Sequence, residues 1–169
     1  MVFWITGLSG AGKSTLARAW CAFLREHHDC LPVLLDGDEI RAVVADPAAG
    51  HDRPGRLRNA FRLARLAHLL ESQGHTVVVA TMSLFHEIHD WNRRELKGYL
   101  EVLLQVSPEV LARRHQQNLY DGSHSNVVGV DLPAEEPKEP HLVLDNNPER
   151  EDLAPLLAQI QAAWQVMTP

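Results

Sequence analysis

Residues 7–14 read Gly-Leu-Ser-Gly-Ala-Gly-Lys-Ser, and no other stretch constrains the fold as tightly. The pattern is GxxxxGK[ST]. An apolar run rich in β-branched and aromatic residues, 2–6, precedes it. Residues 12 to about 26 follow, with Leu16, Ala19, Trp20 and Phe23 recurring on one helical face. A strand that passes through glycines straight into a helix curls its backbone so that successive N–H groups point inward, a nest for phosphate oxygens. The helix N-terminus adds partial positive charge at the same place. Within that nest Lys13 is placed to reach β- and γ-phosphates, and the Ser14 hydroxyl to ligate Mg²⁺. The competing reading, a glycine-rich turn with a surface lysine, explains neither the strand before the octet nor the helix after it.

The rest of the chain repeats the alternation. Residues 32–36, 76–81, 99–106 and 141–145 are short apolar runs that read as buried strands. Residues 56–72, 87–97 and 152–166 read as helices, and a further helix starts at Pro108. The stretch 56–72 is the clearest amphipathic helix, with Leu57, Ala60, Phe61, Ala64, Ala67 and Leu70 as its apolar stripe and Gly74 placed to cap it. Continuously apolar strands alternating with helices indicate a parallel sheet covered on both faces, with ligands at the carboxyl ends of the strands. The expected fold is α/β, of P-loop NTPase type, with a five-stranded parallel sheet in three α/β/α layers. A length of 169 residues fits a single domain. Residues 115–138 lack periodicity and read as a long irregular segment of the kind that forms lids.

Charge and composition exclude several classes. The net charge is −6, and the whole excess lies in residues 131–169, which argues against a nucleic-acid polymer as partner. Five arginines between Arg53 and Arg65, with Arg41 upstream, form a band suited to a small anionic substrate or, equally, a solvated helix face. No apolar run is long enough to span a bilayer. With no signal peptide visible, and with Cys21 and Cys30 too few for a disulfide framework, a cytoplasmic protein is expected. His86 and His89 are spaced HxxH rather than HExxH, so a zinc site there is not expected.

A phosphate-binding loop does not name a reaction. The NKxD-type motif of GTPases is absent, and the strand 76–81 runs into Met82 and Ser83 rather than into a lone acid. The acidic cluster is Asp36-Gly37-Asp38, at the end of the second strand, which is taken to lie beside the first. There the two carboxylates can divide the work, one supporting Mg²⁺ and the other orienting an acceptor hydroxyl. A tight Asp-Gly turn is the alternative. Together with the loop at 7–14, the pair favours a small-molecule kinase.

At this point the chain resembles the adenylylsulfate (APS) kinase family over roughly residues 1–146. Residues 3–15, Phe-Trp-Ile-Thr-Gly-Leu-Ser-Gly-Ala-Gly-Lys-Ser-Thr, look like that family's opening, and 35–41 match its LDGDxxR motif. Arg56 and Asn59 keep an RxxN spacing, 77–83 resemble VVVAxxS, Arg114 with Leu119 and Tyr120 resembles RDxxxLY, and 129–140 resemble GxDxPxExPxxP. The resemblance implies ATP- and Mg²⁺-dependent phosphorylation of a nucleotide 3′-hydroxyl. It implies an ATP site of Gly7, Ser9, Gly10, Ala11, Gly12, Lys13, Ser14, Thr15 and Arg114, and a metal held by Ser14 and Asp36. Lys13, Asp36 and Asp38 would be catalytic, and Asp38, Arg41, Arg56, Asn59 and Ser83 would bind the acceptor. Ser83 also falls on a serine that some members phosphorylate, and a homodimer is the family's usual state.

Two departures concern the acceptor. The family clamps adenine between two phenylalanines, and here those positions read His51 and Val127-Val128-Gly129. Aromatic stacking is worth about 1–3 kcal/mol per base, so base preference is expected to change. The lid stretch 114–120, Arg-His-Gln-Gln-Asn-Leu-Tyr, lacks an acid and a lysine found in the family. Residues 126–131, 83–85 and 91–93 resemble a divergent branch that includes a kinase of cytidine diphosphoramidate. An inactive nucleotide-binding regulator and a kinase of a non-nucleotide metabolite are the other readings.

Overall fold

The computed structural model describes residues 1–45, 50, 52–114, 134–147 and 152–167. Their elements run β1 (Val2–Thr6), α1 (Lys13–His28), β2 (Val33–Asp36), α2 (Gly37–Val44), α3 (Arg53–Ser72), β3 (Val77–Thr81), α4 (His86–Glu95), β4 (Tyr99–Gln105), α5 (Pro108–Arg114), β5 (Leu142–Asp145) and α6 (Ala154–Met167). The five strands form one sheet in the order β2-β3-β1-β4-β5. Every pairing is parallel, with Val2 opposite both Val77 and Tyr99 and Val102 opposite Leu142.

Alternate strand positions feed two cores, because successive side chains leave opposite faces of a sheet. On one face Phe3, Ile5, Val78, Ala80, Val102 and Leu144 pack against Leu16, Trp20 and Leu24 of α1 and Leu156 and Ile160 of α6. On the other, Val2, Trp4, Leu35, Val77 and Val79 pack against Ala60, Leu63, Ala64 and Ala67 of α3 and Ile88 of α4. This is the expected three-layer α/β/α arrangement with a five-stranded parallel sheet. No helix among the described residues is long and apolar enough to cross a membrane.

Three local expectations change. First, β2 is not beside β1; β3 lies between them. Sequence order was the only guide to adjacency, and long parallel crossovers leave strand order open. Second, residues 37–44, to which the sequence pattern assigned no element, form the helix α2. Asp36 Oδ1 accepts the Asp38 N–H at 3.0 Å. The same local bond makes either an Asx turn or a helix N-cap, so residues 36–38 alone do not separate the two. Third, α3 begins at Arg53 instead of Arg56. Asp52 caps it by accepting the Gly55 N–H at 3.0 Å, and Pro54 sits in the first turn, where its missing N–H has no helical partner to lose. Gly74 does end α3, at φ 89°. The Gly74 N–H donates to Glu71 O at 2.8 Å and the His75 N–H to Leu70 O at 3.1 Å, a Schellman pair.

Candidate active site

The carboxyl ends of β1, β2 and β3 lead into the loop at 7–12, into Asp36 and Asp38, and into Ser83. The loop from Gly7 to Gly12 leaves β1 and enters α1, where Ser14 is half-buried and Thr15 exposed in the first turn. A Cβ on Gly7 would stand 2.4 Å from Leu104 O, so only a glycine lets the loop pass this close to β4. Gly12 has φ 95° and lies against the Asn146 side chain, where a Cβ would meet Nδ2 at 2.9 Å. Lys13 folds back across the loop and its Nζ donates to Leu8 O at 2.8 Å. Burial lowers the Lys13 ammonium to about 8, against the opposing fields of the Asp38 and Asp36 carboxylates. The paired aspartates therefore face the lysine although their strand is two places from β1.

Asp36 and Asp38 stand in different surroundings. Asp36 is buried, with Oδ1 engaged by the Asp38 N–H and Oδ2 outside that bond. Asp38 is exposed on the first turn of α2. One turn along, Arg41 is half-buried, and its Nη1 is buried with no protein partner. On α3, Arg56 is held below the usual guanidinium range by burial and by the Arg41 charge, with Asp38 opposing. Two like charges are thus held near each other beside one carboxylate, which favours an anion between them. Asn59 is only 6% exposed, and its Oδ1 also lacks a partner in the protein. Ser83 is buried, its Oγ hydrogen-bonded to Thr81 Oγ1 at 2.8 Å. Thr81 lies beneath the start of α2, 3.1 Å from where a Cβ on Gly37 would be. Arg114 ends α5 and donates from Nη2 to Asn146 O at 2.6 Å.

The set divides along the sheet. Asp36, Asp38, Arg41, Arg56, Asn59 and Ser83 gather at the β2–β3 end, and Arg114 at the β4–β5 end, with the loop between them. Residues 115–133, which include most of the expected lid and Val127-Val128-Gly129, lie outside the described residues, as does His51. A cavity of about 270 Å³ opens between Leu8, residues 104–107, Glu136 and Asn147.

Sequence reasoning passed over two residues here. Asn146 Nδ2 donates to Ala11 O at 2.9 Å, tying the end of β5 to the loop. Glu135 accepts from Arg53 Nη2 and from the His86 N–H, both at 3.0 Å, and so links the starts of α3 and α4 to the segment at 134–140. The signal for Asn146 was its place just after a strand, at the ligand-facing edge of the sheet; Glu135 had none, because its partners lie far off in sequence. His89 does not pair with His86. Its Nδ1 lies 2.7 Å from Glu101 Oε1 in the core.

Comparison with known proteins decides the family. The model of the adenylylsulphate kinase family matches residues 1–145. The chain belongs to the adenylylsulphate kinase family. It is 39% identical over 150 residues to a cytidine diphosphoramidate kinase of Campylobacter jejuni, covering 86% of each chain. It is 36% identical over 162 residues to an adenylyl-sulfate kinase of Pseudomonas aeruginosa, covering 90% of this chain and 80% of that one. The solved structure of the Mycobacterium tuberculosis APS kinase in complex with AMPPNP and APS superposes with a TM-score of 0.85 at 29% identity, over 97% of this chain and 96% of that one. This family member is an ATP-dependent nucleotide kinase. Its hard oxygen donors, the Ser14 hydroxyl and the Asp36 carboxylate, fit a Mg²⁺ ion at the phosphates.

Proposed function

We propose that the chain transfers the γ-phosphoryl group of ATP to the ribose 3′-hydroxyl of a nucleotide acceptor, with adenylylsulfate as the acceptor that the family match supports. The observation that carries this reading is the facing of Lys13 and the Asp36–Asp38 pair, with Arg41 and Arg56 gathered around Asp38. The backbone from Gly7 to Gly12, with Ser14 and Thr15, cradles the triphosphate. Lys13 exchanges its bond to Leu8 O for phosphate oxygens and neutralises charge on the transferring group. Ser14 and Asp36 would hold Mg²⁺, which would supply positive charge to offset that of the phosphates. Exposed Asp38 accepts a hydrogen bond from the acceptor hydroxyl and aligns it for in-line attack. Arg41, Arg56 and the Asn59 amide grip the acceptor's anionic part, with Ser83 beside them. Arg114 closes over ATP. Phosphoryl transfer asks little covalent help of a protein, so positioning and charge stabilisation are sufficient. A single domain acting as a homodimer is the expected form.

A second reading has its own support. The family's adenine-stacking phenylalanines are replaced by His51 and Val127, and a 39% identical relative is named for cytidine diphosphoramidate. A smaller pyrimidine acceptor suits a pocket without that clamp. The test is ADP release with adenylylsulfate and with cytidine diphosphoramidate, each titrated to saturation. Saturable turnover of adenylylsulfate with none of the cytidylate supports the first reading, and the reverse supports the second. ATP binding without transfer to any nucleotide would identify an inactive regulator.

A further inference from the structure

Asn146 makes three hydrogen bonds to three different parts of the ATP side. Its N–H donates to Gln105 O at 2.9 Å, extending the ladder between β4 and β5. Its side-chain Nδ2 donates to Ala11 O at 2.9 Å, and its own carbonyl accepts Arg114 Nη2 at 2.6 Å. The side chain packs so closely on the loop that a Cβ on Gly12 would stand 2.9 Å from Nδ2. The peptide joining Ala11 and Gly12 is planar and trans, and in such a unit the C=O and the following N–H point in opposite directions. With the Ala11 carbonyl turned out toward Asn146, the Gly12 N–H is turned into the loop, where a phosphate oxygen would accept it.

We propose that Asn146 is a positioning residue for ATP. Its amide sets the orientation of the 11–12 peptide in the phosphate nest, and its carbonyl sets Arg114 over the nucleotide. The same residue thereby couples the phosphate end of the site to the base end. The loop's own bonds, from the Ala11 N–H and Lys13 Nζ to Leu8 O, leave the Ala11 carbonyl free to turn, and the Asn146 donor fixes it. The Asn147 side chain cannot substitute, because its Oδ1 is taken by the Ser107 N–H at 2.6 Å and its Nδ2 donates to Asp145 Oδ1 at 2.7 Å. This inference rests on the ATP half of the proposed function and is independent of which acceptor is used.

The test is calorimetry of ATP with Mg²⁺ on the wild-type chain and on Asn146→Ala, Asn146→Ser and Asn146→Asp. Loss of one donor to a backbone carbonyl is expected to weaken ATP about tenfold in Asn146→Ala. Asn146→Asp loses the donor and adds a negative charge beside the phosphates, so it weakens ATP further. Asn146→Ser keeps a shorter donor, falls between, and serves if the alanine variant does not fold. KM for adenylylsulfate or cytidine diphosphoramidate, whichever is turned over, stays within about twofold, since a single hydrogen bond on the ATP side leaves acceptor contacts in place. ATP affinity within twofold of wild type in the alanine and serine variants overturns the proposal. So does a rise in both KM values in proportion to a fall in melting temperature, the mark of a purely structural role. In ¹⁵N-labelled wild-type protein, ATP is expected to shift the Gly12 amide and the Asn146 side-chain amide together; a Gly12 shift with the Asn146 signal unmoved overturns it without any variant. Absence of ATP binding by the wild-type chain would instead sink the phosphate-loop reading itself.

Discussion

At the scale of single residues, Lys13 is the group whose chemistry depends most on where the fold puts it. Burial holds its ammonium near 8 in the unliganded protein, and the aspartates only partly offset this. A bound triphosphate adds opposite charge at close range and raises that value. Above pH 8 the free lysine is largely neutral, so ATP binding there must take up a proton and ATP affinity must fall as pH rises. Calorimetry at pH 8.5 in buffers of different ionisation enthalpy is expected to show this uptake, and Lys13→Ala is expected to abolish it together with ADP production. Asp38 is the second such residue. It is exposed on the first turn of α2, and in the proposed function it aligns the acceptor hydroxyl. Asp38→Asn is therefore expected to leave ATP affinity within about twofold while lowering kcat by about 10²–10⁴, the range for removing a positioned general base. A fully active variant would move that role to Asp36. Both residues stand out in the sequence by type and spacing. The association of Arg41 with Arg56 came from the family resemblance, since spacing alone does not join two helices across residues 46–52.

At the scale of elements, local hydrogen-bond chemistry decides where helices start. The Pro54-Gly55 pair reads as a breaker in sequence, yet Asp52 and Pro54 make it the first turn of α3. That turn carries Arg56 and, three residues on, Asn59. Asp52→Ala removes the cap and is expected to destabilise the chain by about 1 kcal/mol, which for a chain of this length is about 2–4 °C in melting temperature. Acceptor KM should rise with it, and ATP affinity should not. The strands and the helices α1, α4, α5 and α6 were legible because apolar period and flanking Gly or Pro are local signals. The helix α2 was not: Ile40, Val43 and Val44 keep helical spacing, but a segment of eight residues opening on Asp-Gly suits a turn as well, and none of the eight is buried.

At the scale of the whole molecule, the second core holds a polar cluster around Glu101. Glu101, in mid-strand β4, is fully buried. Burial pushes its carboxyl up, but the hydrogen bonds from His89 and Tyr99 and the Arg93 charge outweigh it and leave it below the ordinary range. The Glu101 N–H donates to His141 Nδ1 at 2.9 Å, so that nitrogen must be unprotonated. Burial and the Arg93 charge lower the His141 value below 6.5, with Glu101 opposing. A histidine whose folded value is lowered contributes stability that is complete above 6.5 and is lost as pH falls from there toward the folded value. Melting temperature is expected to drop below pH 6.5, and the drop should be shallower in His141→Ala.

The octet at 7–14, the apolar strands and the three-layer α/β class followed from the sequence alone. Each rests on residues within one strand, turn or helix of one another, and the physics that reads them is short-ranged. Two things belonged to the tertiary structure: the insertion of β3 between β1 and β2, and the bond from Asn146 to a loop 135 residues earlier in the chain. These are contacts between elements, and long crossover connections let many pairings satisfy the same local pattern. Only packing the apolar faces of all the elements at once selects among them.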